Sequence, residues 1–204
     1  GAAGNKAAMH AINQGVFDRK DVLLLNTTQK DMKDEFNDIN IVFGDNRGGC
    51  GKERDLAKDM IMDALADHTV NLDALMDPDD RMVIIVTSSE GGTGCGASSV
   101  IAKYMKEVVG ANVQLFVFTG FEDDVRGLKN TVDWFHDLSE DYIVQAISNK
   151  SFLEEAEGNR KKAEELANRE FSKRISTLLG QNIIASENNI DDTDLYKIDT
   201  TPGF

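Results

Sequence analysis

The sequence predicts an α/β fold: a doubly wound, mostly parallel sheet with helices on both faces, followed by a long central helix. Three observations carry that expectation. Five short apolar runs are continuous rather than alternating, as strands covered on both faces are. Segments of helical periodicity lie between them, and that alternation is the mark of parallel βαβ units. Each run ends in Gly, Asn, Ser or Thr. Polar loops therefore gather at the carboxyl ends of the strands, where such sheets take their ligands.

The elements follow in order. A helix over 5–15 carries Ala8, Ala11 and Ile12. The run 22–25 is closed by Asn26-Thr27-Thr28, and the run 39–43 by Gly44. A helix over 52–66 carries Leu56, Met60, Ala64 and Leu65. The run 82–86 is closed by Thr87-Ser88-Ser89, and a helix over 97–109 follows with Val100, Ile101, Tyr104, Met105 and Val108. The run 113–118 leads to Thr119-Gly120 and a helix over 125–138. The run 142–147 leads to Ser148-Asn149. A last helical stretch over 152–179 shows the stripe Ala163, Ala167, Phe171, Ile175 and Leu178, with Gly158 a break near its start and Gly180 its stop.

Composition narrows the function. The chain has 204 residues, with 22 basic against 36 acidic side chains and a net charge of −14. So acidic a body is ill suited to gripping a phosphate backbone or an anionic membrane surface. Hydrophobic content of 41% and only 2 prolines exclude disorder and collagen. Two cysteines make no disulfide framework and fit a reducing, cytoplasmic setting. The sequence has no initiator Met and closes on Thr201-Pro202-Gly203-Phe204. A segment of a longer protein is expected, with a first strand ahead of Gly1 and a C-terminal part after Phe204.

The sharpest motif is Glu90-Gly91-Gly92-Thr93-Gly94-Cys95-Gly96-Ala97, set between a strand and a helix. Its glycines let backbone N–H groups turn inward, and the helix start adds partial positive charge. The result is an anion cradle fit for phosphates. It is not a Walker A loop, because Gly51-Lys52 is followed by Glu53. A dinucleotide pattern can be laid on Gly92, Gly94 and Ala97, but the acidic partner expected about 20 residues on is absent.

Gly-Gly-Thr-Gly-Cys-Gly resembles the signature loop of the tubulin superfamily, which includes tubulins, FtsZ and TubZ. Other motifs match in order. Gly1-Ala2-Ala3-Gly4-Asn5 resembles the first phosphate loop, and Leu25-Asn26-Thr27 the second. Gly48-Gly49-Cys50-Gly51-Lys52-Glu53-Arg54 resembles the loop facing the γ-phosphate, and most resembles that of TubZ. Asn149 resembles the residue that meets sugar and base, and Asn168 the central-helix Asn that reads guanine. Asp123, flanked by Glu122 and Asp124, stands where the superfamily places a ribose carboxylate; an acidic cluster without a ligand role is the alternative. Asn189-Ile190-Asp191-Asp192-Thr193-Asp194 resembles the catalytic loop.

The resemblance implies a GTPase using GTP/GDP and Mg²⁺. It places Gly4, Asn5, Asn26, Thr27, Gly49, Cys50, Gly51, Lys52, Gly91, Gly92, Thr93, Gly94, Cys95, Gly96, Asp123, Asn149 and Asn168 at the nucleotide. It makes Asp191 and Asp194 catalytic, with no protein metal ligands. A helix of about 28 residues spans roughly 42 Å and would carry those carboxylates away from their own nucleotide. They would then act on a neighbour's, in a head-to-tail filament. The implied division is a GTP-binding domain over 1–150, a central helix over 151–187, and a catalytic loop over 188–204 leading into a further domain. A TubZ-like role in plasmid or phage DNA segregation follows, through a DNA-binding adaptor held by that further domain. Alternatives are an FtsZ-like division GTPase, a NAD-dependent oxidoreductase, and a nucleotide-binding scaffold without turnover. The dipoles at Cys50 and Cys95 are expected to lower their pKa values and to bring both thiols to the phosphates.

Overall fold

The computed structural model describes residues 1–44, 48–77, 80, 82–138 and 142–181. Helix α1 is Ala2–Asn13. Strands β1 (Leu24–Asn26) and β2 (Asn40–Val42) follow, joined through short 3₁₀ turns. Then come α2 (Arg54–Ala66), β3 (Met82–Ser88), α3 (Thr93–Tyr104), β4 (Asn112–Thr119), α4 (Val125–Asp137), β5 (Ile143–Ser148) and α5 (Arg160–Leu178). All five predicted strands form, and every pairing is parallel.

They form two sheets, not one. β1 pairs with β2, and β3-β4-β5 run side by side. Helices cover both faces. Ile61 and Ala64 of α2, Ala102 of α3 and Trp134 of α4 bury one face against Leu115 and Val117. Ala7 and Ala11 of α1 and Phe171 and Ile175 of α5 bury the other against Phe116 and Phe118. Phe171 meets the Phe116 ring edge-on at 5.3 Å. Trp134 is fully buried, and its indole N–H donates to Ser98 Oγ at 2.8 Å. No helix among the described residues is long and apolar enough to cross a membrane.

Several helix boundaries differ from expectation, and α3 begins at Thr93, four residues before its predicted start. α1 begins at Ala2, three residues before the predicted start, so Gly4 and Asn5 belong to a helix and not to a loop. The long stretch over 152–179 is divided. A 3₁₀ turn, Asn149–Phe152, leads to Gly158 at φ +77°, and Asn159 then caps α5 by accepting from Lys162 N. The helix proper has 19 residues and spans about 29 Å rather than 42 Å.

Candidate functional site

Three segments, two of them glycine-bearing, meet at the carboxyl ends of the strands. The end of β1 supplies Asn26 and Thr28, the segment after β2 supplies Gly48 to Gly51, and the segment after β3 supplies Gly91 to Gly94. They line a cavity of about 410 Å³. Its far wall carries Asn149 at the end of β5, with Glu164 and Asn168 on α5. β3 and β5 lie two strands apart, so the glycine segments and Asn149 are separated by about 10 Å.

Hydrogen bonds fix this convergence. Thr27 Oγ1 and Thr93 Oγ1 stand 2.6 Å apart, tying β1 to the start of α3. Cys50 Sγ donates to Thr27 Oγ1 at 3.5 Å. Asn130 of α4, only 5% exposed, donates from Nδ2 to Lys52 O at 3.0 Å and to Glu90 O at 3.3 Å. One buried amide thus stitches two glycine segments together. A Cβ at Gly92 would sit 2.8 Å from Cys50 Cβ and 2.9 Å from Glu53 N, so only glycine permits this approach. Gly48 and Gly49 adopt φ of +107° and +91°, which L side chains rarely accept.

The structure brings Asn26, Gly49, Cys50, Gly51, Gly91, Gly92, Thr93, Gly94, Asn149 and Asn168 to the cavity wall. It places the other expected residues elsewhere. Gly4 lies beneath the cavity, where a Cβ would collide with the Val86 carbonyl. Asn5 points its amide to Leu25 O at 3.2 Å. Thr27 braces the wall through the bonds given above, and Lys52 turns outward to pair with Asp124. Cys95 and Gly96 fall within α3, on its buried side. Asp123 pairs with Arg160 and does not reach the cavity; that guanidinium holds its carboxyl below the usual range. Asp124 accepts from Arg126 N and Gly127 N as the N-cap of α4. Asp191 and Asp194 lie outside the described residues.

Sequence reasoning missed several wall residues. Lys6 follows Asn5, Asp31 follows Asn26 by five positions, and Glu164 precedes Asn168 by one helical turn. Asn26 Nδ2 donates to Asp31 Oδ2 at 3.3 Å, and Lys6 pairs with Glu164 at 3.9 Å. Those spacings from chosen residues were the available signal. Asn130 offered none, since its partners are 78 and 40 positions away.

The two thiols part company. Cys95 is fully buried with its sulfur against Asn130 O, and burial pushes its pKa up to about 11, opposite to the lowering expected from the helix dipole. Cys50 lines the cavity. Mass spectrometry after native thiol labelling is expected to find Cys50 modified slowly, with GTP protecting it, and Cys95 modified only after unfolding. Labelling of Cys50 that ignores GTP would remove that segment from the site.

Gly1 N turns inward and donates to Leu25 O at 2.7 Å, tying the start of α1 to β1.

The sequence matches no family model and no curated protein. Solved structures, in contrast, match it over most of its length. CetZ1 from Haloferax volcanii, a GDP-bound monomer, superposes with a TM-score of 0.79 at 17% identity, over 99% of this chain and 62% of that one. The fold is the tubulin/FtsZ fold. FtsZ from M. jannaschii gives a TM-score of 0.70 at 21% identity, covering 86% of this chain and 53% of that one. A GTPγS-form protofilament of TubZ from Bacillus thuringiensis serovar israelensis gives 0.70 at 20% identity, covering 97% and 59%. The expected preference for TubZ is not seen, since CetZ1 superposes with the higher score. The chain spans 62% or less of the length of these three structures.

Proposed function

We propose that this chain is the nucleotide-binding part of a GTP-hydrolysing protein that assembles head to tail into filaments. The observation that carries the reading is the single cavity wall joining two glycine segments and the start of α3 to Asn149 and Asn168. A helix start and inward N–H groups suit the phosphates. An amide can both donate to the guanine carbonyl oxygen and accept from its ring edge, which suits Asn149 and Asn168 to the base. The neighbours solved with GDP and GTPγS, two of them as protofilaments, support the same reading.

On this reading the nucleotide-binding domain is 1–150, the central segment 151–187, and 188–204 leads toward a further domain. Gly49 to Gly51 and Gly91 to Gly94 hold the phosphates. The residues that brace these segments, Thr27 and Asn130, keep them in place without touching ligand. Mg²⁺ would neutralise phosphate charge, and Asp31, tethered by Asn26, is the wall carboxylate suited to it. Asp191 and Asp194 orient water on the next subunit's nucleotide. A cytoplasmic role in plasmid or phage DNA segregation, through a DNA-binding adaptor, is the finer form of the reading and rests on the motif resemblance.

Isothermal titration with GTP, ATP and NAD tests the base assignment. GTP is expected to bind most tightly. Asn168→Ala is expected to weaken GTP by about 1–3 kcal/mol, the usual effect of stranding a polar partner, and so to erode its preference over ATP. Preferential NAD binding would favour the oxidoreductase alternative. Equal binding of ATP and GTP by the unaltered protein would overturn the role of Asn168.

A further inference from the structure

Ser89 and Glu90 lead from β3 into the segment Gly91 to Gly94, and both are held by the end of β4, the loop after it and α4. Ser89, fully buried, donates from its backbone N to Phe118 O at 3.1 Å, and its Oγ stands 2.8 Å from Thr131 Oγ1. Glu90 O accepts from Asn130 Nδ2 at 3.3 Å. The last hold is a side chain. Glu90 does not line the nucleotide cavity; its Oε1 accepts from Gly120 N at 3.0 Å, across to the β4–α4 loop.

Two glycines shape the seat of that carboxylate. A Cβ at Gly120 would collide with it, and one at Gly127 would stand 3.1 Å from Glu90 Cβ. Neither glycine has a positive φ, so it is room for Glu90, and not backbone conformation, that a side chain there would destroy. Gly127 N also donates to Asp124 Oδ2 at 3.1 Å, and Asp124 pairs with Lys52. The socket therefore borders the contact between the β4–α4 loop and the other glycine segment. A negative charge beside an anion cradle opposes the binding of phosphates. A neutral residue would avoid that repulsion but would give up a hydrogen bond to a carboxylate, which is roughly twice as strong as one between neutral groups.

We propose that Glu90 is a positioning residue for the phosphate segment: its carboxylate fixes the entry to Gly91–Gly94 against the β4–α4 loop, so that nucleotide in the cavity and order in that loop favour one another. The proposal rests on the GTP reading above. The bonds of Ser89 and of Glu90 O hold the end of β3 to the body of the domain, whereas the Glu90 side chain reaches the loop itself at Gly120. Linkage makes the coupling reciprocal: what orders the segment steadies the loop, and what frees the loop weakens the ligand.

The test compares GTP affinity by titration with amide hydrogen exchange over 119–127. Glu90→Ala is expected to weaken GTP about tenfold, the scale of one hydrogen bond to a charged group. Glu90→Gln is expected to bind like the parent, because its amide oxygen still accepts from Gly120 N. Gly120→Ala displaces the carboxylate and is expected to weaken GTP as Glu90→Ala does, but to add nothing to Glu90→Ala, since both changes break one contact. GTP is expected to slow exchange over 119–127 in the parent and in Glu90→Gln, and not in Glu90→Ala. Circular dichroism checks that each variant folds; where Glu90→Ala does not, the contrast between Glu90→Gln and Gly120→Ala carries the comparison. Additive losses in the double variant would overturn the proposal. So would Glu90→Gln binding as weakly as Glu90→Ala, or equal protection by GTP in Glu90→Ala and the parent. Those failures leave the GTP reading standing, whereas a parent that binds no GTP overturns both.

Discussion

A valine at Gly96 is expected to lower the melting temperature by roughly 10 °C, a loss of about 3 kcal/mol or more. Glycine is a poor helix interior residue, so on propensity alone a larger residue would stabilise α3 by up to about 1 kcal/mol. Packing reverses the sign. A Cβ at Gly96 would collide with the Arg54 carbonyl oxygen and stand 2.9 Å from Ala57 Cβ, and the first of these is backbone of the facing helix. α2 cannot move aside freely. Arg54, whose side chain is only 10% exposed, pairs with Asp133 and Asp137 of α4. Thermal unfolding followed by circular dichroism checks the effect, with Gly91→Ala as the control. At Gly91 a Cβ meets only Ser88 Oγ at 3.4 Å, and little change is expected. A Gly96→Val protein as stable as the parent would mean that α2 and α3 do not pack as described.

Asp191→Ala is expected to leave GTP affinity near normal and to cut turnover by roughly 100-fold or more, the usual effect of losing a positioned acid or base. On the proposed reading, the measurement is phosphate release as a function of protein concentration beside direct titration of GTP. Normal turnover would reduce the loop to a structural cap. Sharing of sites between subunits has its own check. Asp191→Ala is mixed with a variant whose own cavity is blocked but whose Asp191 is intact, and recovered turnover supports action across the interface. Gly91→Trp is the better block. At Gly94 a Cβ would stand 2.8 Å from Thr87 Oγ1 beneath the helix, so a large residue there threatens the fold as well as the cavity.

The strands were legible because each is a compact apolar run with a polar stop, and all five formed where the runs stand. Whether neighbouring runs share a ladder was not legible, since an apolar run carries no record of its partner. The start of α1 was misread for a composition reason. Gly1-Ala2-Ala3-Gly4 looks like a loop by its glycines, yet alanine is the best helix former, and Gly4 is small because β3 lies against it. α5 was overread because its apolar spacing continues across Gly158, where a positive φ ends the preceding turn. At the site, the glycine segments could be read from local sequence. Lys6, Asp31, Glu164 and Asn130 could not, because their roles arise only when distant segments meet.

The loop between β4 and α4 behaves as a three-point clasp. Glu122 holds Lys150, Asp123 holds Arg160 and Asp124 holds Lys52, so consecutive carboxylates grip cations from three separate segments. All three pairs face solvent, where a single bridge contributes at most about 1 kcal/mol and salt weakens it. Added salt is therefore expected to weaken all three pairs together. The buried Asn130 bonds behind them, out of reach of screening ions, are expected to hold the two glycine segments together at any ionic strength.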